Sequence, residues 1–283
     1  MFHYYHKSHF SLKVIILAVI FIFTVNTIIP SQAMAQGVLG LPVPGTMVSL
    51  SPAFTPTILR GIRVYPDNSL KFDFIVDSGD TGLKGTALKN ESERLIKYFL
   101  AALTIPEDNL WVNLSPHEQD RIIPDALAQT DMGTDMLAQD YLLKQVTASL
   151  IYPEDELGKQ FWQKIYKKAY EEYGTTKIPV DTFNKVWIMP EHAEVYVKDD
   201  RAFVVESKLK VMLEEDYLAL EKSAESRATR NAAQSSHANK KADNKLASNI
   251  VREIVIPALE KEVNQGKNFA QLRQIYNSLI LAY

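Results

Sequence analysis

The chain has 283 residues, with 31 basic and 34 acidic side chains, 46% hydrophobic content and no cysteine. That balance excludes a wholly disordered chain, a disulfide scaffold and thiolate chemistry of any kind, zinc and iron–sulfur sites included. A formal charge of −3 gives no electrostatic reason to expect nucleic acid as a partner.

Residues 1–35 read as a secretory signal peptide. Lys7 and Lys13 stand in an acid-free start, VIILAVIFIFTV fills residues 14–25, and Ala33-Met34-Ala35 precedes Gln36. A basic start, a short apolar stretch and a small-residue cleavage site are the three parts of such a leader. The run is shorter than the roughly 20 apolar residues of a membrane span, so membrane contact is expected only if the leader stays uncleaved. No cysteine follows it to carry a lipid. Loss of the two leader lysines takes the charge from −3 to −5. Of the histidines, His117, His192 and His237 remain. A periplasmic or secreted chain has no routine supply of ATP or reduced nicotinamide, which argues against kinases and dehydrogenases.

Residues 36–57, with Pro42, Pro44, Pro52 and Pro56 among small residues, read as an extended linker, since proline fixes φ and removes donors. Order is expected from Ile58. Two strands follow, 58–65 and 70–77, the second with Leu70, Phe72, Phe74 and Val76 alternating with polar residues. After a glycine-rich loop at 78–85, a helix over 92–103 presents Leu95, Ile96, Phe99, Leu100 and Leu103, and Pro106 bars its continuation. Ser115-Pro116-His117-Glu118 opens a short capped helix. A longer one spans 134–151 through Ala138, Leu142, Val146 and Leu150. The next, 156–173, carries the stripe Phe161, Trp162, Ile165, Tyr166, Ala169, Tyr170 and Tyr173, read as core, and stops at Gly174.

Strands return at 184–189, 193–198 and 201–213, with Asp199-Asp200 as a tight turn and Phe203, Val205, Leu209, Val211 and Leu213 on one face. A short helix is expected over 214–222. Residues 223–245 hold no aliphatic side chain larger than alanine, no aromatic, five basic and two acidic residues. That composition reads as a disordered loop. A helix over 246–265, kinked at Pro257, and a last one over 269–283 complete the chain. The last ends without a cap, as if cut within a helix. The expected organisation is a signal peptide at 1–35, a linker at 36–57, an α+β domain at 58–222, the loop at 223–245 and C-terminal helices at 246–283. The fold class is α+β. A small antiparallel or mixed sheet is packed by several helices, and the C-terminal pair sits apart behind the flexible loop.

Several motifs invite chemistry. Asp77-Ser78-Gly79 and Asp80-Thr81-Gly82 follow a hydrophobic strand, as in aspartic proteases, where two carboxylates share a proton. No second copy occurs, and Asp, Ser and Gly are also the residues of a strand-end turn. Asp77 and Asp80 are therefore the weak catalytic candidates. Residues 79–86 resemble a phosphate loop only in part: Lys84 and Gly85 stand in the wrong order, and no helix is expected immediately after Lys84. As calcium ligands the same aspartates match no EF-hand spacing. His117-Glu118 begins like a zinc helix, but Arg121 occupies the second histidine's place. His117 with Asp120 remains as an acid–base pair or a solvated first turn. His192 lies with Glu191 and Glu194 between two strands and reads as a loop histidine. Trp162, Tyr166, Tyr170 and Tyr173 are the alternative lining of a glycan or peptide groove. The basic run Arg227, Arg230, Lys240, Lys241 and Lys245 reads as a solvated face. His237 falls in the same loop. No cofactor and no metal is called for.

Longer strings carry a resemblance. DNLWVNLSP at 108–116, DRIIP at 120–124, LAQDYLLKQ at 137–145, TASLIYPE at 147–154, FNKVWI at 183–188, VMLEEDYLAL at 211–220, IVREIVIP at 250–257 and NFAQLRQIYNSLILA at 268–282 together resemble a family of exported proteins from uncultured bacteria. No activity is assigned to that family, so the resemblance implies export and transfers no catalytic residue. Its members continue beyond the last helix in a lysine-rich stretch. The function expected is a non-catalytic exported protein that binds or assembles with a protein or envelope component. The alternative is a carboxylate-dependent hydrolase using Asp77 and Asp80.

Overall fold

Four strands form one antiparallel sheet in the order β2-β1-β4-β3. β1 is Ile58–Val64, β2 Phe72–Asp77, β3 Val186–Lys198 and β4 Arg201–Leu213. The helices are α1 (Gly85–Ala102), the short α2 (Asp125–Ala128), α3 (Asp131–Leu150), α4 (Glu156–Tyr173), α5 (Ile256–Gln265) and α6 (Ala270–Ala282). The architecture is α+β, as the sequence predicts. The computed structural model describes residues 41–68, 71–104, 125–174, 176, 186–217, 219–220 and 248–283, and Pro44–Tyr283 forms one compact unit. The leader at 1–35, the capped turn at 115–118 and the loop at 223–245 lie outside the described residues, and the side chain of Tyr173 is not described.

β1 and β2 pair from Ile58↔Asp77 to Val64↔Phe72. Phe72, Phe74 and Val76 pack on the core while Asp73 and Ile75 face out. β1 meets β4 only over Gly61↔Phe203 to Arg63↔Arg201. Beyond that point helix side chains take over the inner edge of β4. Asn264 of α5 accepts Leu209 N–H at 2.9 Å and donates to Leu209 O at 2.8 Å, and Glu260 accepts Val211 N–H at 3.3 Å. These contacts satisfy backbone groups that a missing strand would leave unpaired.

The two strands expected at 184–189 and 193–198 are one strand, β3. Its register slips between Pro190 and His192, so the loop expected around His192 is a bulge that carries the proline on an edge strand. A second slip, where Val195↔Val204 follows Glu194↔Glu206, corrects the expected face of β4. Val204 is buried and Val205 is 52% exposed, because the extra residue inverts the alternation.

α1 begins at Gly85, earlier than expected, and buries Leu95, Tyr98, Phe99 and Ala102. Leu100 and Leu103, predicted to face the core, are exposed. Thr130 caps α3 by accepting Gly133 N–H at 3.0 Å. The expected kink at Pro257 is a π-helical turn, Val251–Val255, leading into α5. Proline has no N–H for the carbonyl four residues back, and the widened turn absorbs the mismatch.

Two apolar clusters form the core. One joins α3, α4, α5 and the Leu209–Leu213 end of β4, and the other joins β1, α1, α3 and Val204. α6 serves both, with Leu272 and Tyr276 in the first and Ile275, Leu279 and Leu281 in the second. The C-terminal helices therefore do not sit apart: α6 packs on α1, β1, α3 and β4.

The linker expectation also changes. Residues 48–57 are a strap pinned along the α5–α6 elbow. Phe54 N–H donates to Gln265 O at 2.8 Å, Lys267 N–H to Pro52 O at 3.2 Å and Asn268 N–H to Ser51 Oγ at 3.0 Å. Buried Glu262 accepts Ser51 N–H at 2.9 Å. Arg273 donates to Phe54 O at 2.7 Å and to Val263 O at 2.8 Å. Burial lowers the Arg273 guanidinium to about 10, so it stays cationic at neutral pH beside Glu262. Gly266 lets Glu262 in: a Cβ there would stand 2.3 Å from its carboxylate.

Candidate functional site

The aspartate motif sits where the strap meets the end of β2. Asp77 Oδ1 accepts Gly79 N–H at 3.0 Å, and Oδ2 lies 3.7 Å from Arg60 Nε. Asp80, in a 3-10 turn over Gly79–Thr81, accepts Thr55 N–H at 2.7 Å and returns its own N–H to Thr55 O at 2.8 Å. Thr57 and Thr81 share a hydroxyl hydrogen bond of 2.8 Å. Gly79 has φ 52°, and a Cβ on it would stand 2.3 Å from Thr55 O. Each residue type of the motif thus has a structural reason: together they clasp the strap to the sheet. The chemistry on display is that of an Asx turn. One expectation about this loop is corrected, since α1 does start directly after Lys84. The phosphate-loop resemblance still fails on residue order.

The strap also makes a cavity. Met47, Val48 and Leu50 face Leu150, Tyr152 and Leu157 across a space of about 560 Å³ between the C-terminal end of α3 and the start of α4. Val48 N–H donates to Ser149 Oγ at 2.8 Å and fixes the strap over it. Exposed Glu154, Asp155 and Glu156 line it too, and among the described residues no lysine or arginine does. Such a space suits an apolar group that carries positive charge. Gly158 shapes the turn beside it: a Cβ there would stand 1.8 Å from Tyr152 O, so only glycine lets α4 close this tightly on the preceding turn. Trp162 donates to Ile151 O at 2.9 Å just behind that turn. Reading 36–57 as a linker hid the pocket. The signal that could have exposed it is the apolar pair Val48 and Phe54 among the prolines, both partly buried once the strap is docked.

The aromatic stripe of α4 divides. Phe161, Ile165 and Ala169 are buried and Trp162 is partly so, whereas Tyr166 is 46% and Tyr170 67% exposed. Those two tyrosines are not core. His192 lies on β3 with its carbonyl accepting from Tyr276 Oη at 3.4 Å. Its neighbour Glu191 pairs with Lys208 at 2.6 Å, which holds the carboxyl below its usual range. His117, Asp120, His237 and the basic run from Arg227 to Lys245 lie outside the described residues. Among the described residues no group of three or more His, Asp or Glu is placed to hold a metal ion, and no helix is long and apolar enough to cross a membrane.

A buried polar cluster went unread in the sequence. Tyr98, fully buried, donates to Asp135, itself 7% exposed, and Gln271 reaches Tyr98 Oη at 3.4 Å. Gln139 continues the chain to Gln271 at 3.3 Å. Burial first, and the bond to Asp135 second, push the Tyr98 phenol above its ordinary range. The cluster lies between α1, α3 and α6, where it ties helices together.

Comparison with protein-family models, with curated proteins and with solved structures finds no match to this chain.

Proposed function

We propose that this chain is an exported, non-catalytic binding or assembly protein of the periplasm or cell envelope. Its partner is a protein or envelope component that presents an apolar group beside a positive charge to the strap pocket. The observation carrying this reading is the cavity of about 560 Å³ with carboxylates on it and, among the described residues, no basic side chain. The leader pattern at 1–35 and the resemblance to exported proteins support export. The two candidate aspartates are occupied by backbone donors and Arg60, so no observation favours the hydrolase alternative.

Calorimetric titration with octyltrimethylammonium, and with octyl sulfate as the control of opposite charge, tests the pocket. The ammonium probe should bind and the sulfate should not. Gln160, exposed at the cavity, offers a plug: Gln160→Trp should abolish the signal while leaving the fold intact by circular dichroism. Equal binding of both probes, or binding unchanged in Gln160→Trp, refutes the reading. Mass spectrometry of the secreted chain should find Gln36 first; retention of residue 1 would refute export by cleavage.

A further inference from the structure

Among the described residues β3 forms one edge of the sheet, and its outer half is unlike the other edge, β2. β2 is six residues long and exposes one large apolar side chain, Ile75. β3 is 13 residues long, and every residue from Glu191 to Lys198 is exposed. At its tip Val195, Tyr196 and Val197 stand 39%, 56% and 67% exposed in succession. Three consecutive exposed apolar residues on an open edge are a template for strand pairing unless a partner covers them.

The hairpin presents that edge rigidly. Asp200 in its turn is held to β1 by Arg63 Nε at 2.6 Å and by Val64 N–H at 2.8 Å. Asp199 takes the left-handed φ of 54° that a two-residue turn demands. Such a turn closes on a hydrogen-bonded pair, here Lys198↔Arg201. Backbone groups alternate along an antiparallel strand, so Val195 and Val197 turn their N–H and C=O away from β4.

The charges select the partner. Within the hairpin Glu194 stands opposite Glu206 and Lys198 opposite Arg201, two like-charged pairs, and like charges directly opposite are destabilising. Glu194 and Lys198 flank Tyr196 symmetrically, two residues to either side and on its face of the sheet. A second, antiparallel copy of β3 with the twofold axis at Tyr196 puts each Glu194 opposite the other copy's Lys198. It also puts each Val195 opposite Val197, where their outward N–H and C=O groups pair. Both internal charge conflicts are then relieved by one operation.

We infer that two copies of this chain associate through the outer edges of their β3 strands, antiparallel about Tyr196, to make one continuous sheet. The contact is isologous, so it closes as a dimer. It is separate from the strap pocket and does not depend on it.

Sedimentation of the purified protein and oxidative cross-linking test this. The chain should sediment as a dimer that dissociates on dilution. Glu194→Lys and Lys198→Glu should each weaken dimerisation by about tenfold or more, from the loss of two cross-strand charge pairs and the gain of two repulsions. The double swap Glu194→Lys/Lys198→Glu should restore it, which a folding defect would not do. The chain has no cysteine, so Tyr196→Cys should give a single disulfide-linked dimer under mild oxidation. A monomer at about 100 μM, failure of the double swap to restore association, or no cross-link at Tyr196→Cys overturns the inference; a monomer would leave the strand to a foreign partner.

Discussion

Tyr98→Phe isolates one atom in the buried cluster. The ring keeps its place against α3 and α6, and only the hydroxyl that donates to Asp135 is lost. Both residues are below 10% exposure, so water does not replace the donor freely. A hydrogen bond to a carboxylate contributes about 1.5–3 kcal/mol, and a buried acceptor left unpaired costs at the upper end of that range. The expected loss is therefore about 2–3 kcal/mol, or roughly 4–12 °C in Tm for a chain of this size. Urea unfolding should show a lower midpoint at unchanged m-value. A cycle with Asp135→Ala should give a coupling of at least about 1 kcal/mol. The sign of the pH effect follows from the raised phenol. The folded state holds the Tyr98 proton more tightly than the unfolded chain, whose tyrosines titrate near 10. Stability from this group is complete below about pH 10 and is lost as pH rises further. Tyr98→Phe should blunt that alkaline loss. A change under about 0.5 kcal/mol, or an unaltered alkaline limb, would refute the reasoning.

Tyr276 makes a second alkaline test: burial raises its phenol to about 12, so Tyr276→Phe should remove part of the stability loss between about pH 10 and 12, read from urea midpoints across that range. Gly158→Ala sets a Cβ 1.8 Å from Tyr152 O, and overpacking of that kind should cost about 1–3 kcal/mol or more, seen as a fall in Tm together with weaker probe binding at the pocket that Tyr152 lines. Gly79→Ala combines the strain of a left-handed φ with a clash at 2.3 Å against Thr55 O. It should cost at least about 1–2 kcal/mol, and limited proteolysis should cut near residues 53–57 faster than in the parent chain.

Local pattern carried most of the elements. Alternation at Phe72, Phe74 and Val76 found β2, the Asp199-Asp200 turn found the hairpin, and Gly174 ended α4 with φ 63°. What failed was non-local. The two bulges in the hairpin reverse which side chains face the core, and a bulge depends on the partner strand's register, which period-2 reading does not contain. The strap failed for a related reason. Its prolines remove donors, yet its remaining N–H and C=O groups find partners some 200 residues away: Phe54 with Gln265, Ser51 with Glu262 and Asn268. Asp77 was legible as a turn residue because its bond to Gly79 N–H is local, whereas the partner of Asp80, Thr55, lies 25 residues away and was not. The pocket was not, since it exists only once the strap has docked.

α6 shows why the centre of the fold was read as its periphery. Gln274, Asn277 and Ser278 interrupt its apolar run, and polar residues on several sides of a helix ordinarily signal solvent. Here all three are buried, and each serves a different element. Gln274 donates to Thr57 O at 2.7 Å where the strap enters β1, and it also meets Glu91 of α1 at 2.7 Å. Ser278 reaches Leu95 O in α1 at 3.4 Å, and Asn277 Oδ1 accepts from Ser207 of β4 at 3.4 Å. A helix wedged between a sheet, a second helix and a strap meets polar groups that no ladder satisfies, Thr57 O and the Ser207 hydroxyl among them. An all-apolar α6 would leave the buried Thr57 O without its Gln274 donor, at about 1–3 kcal/mol. Its polar positions therefore mark the helix that joins the others, and the same residues that made it look exposed are the ones that require it to be buried.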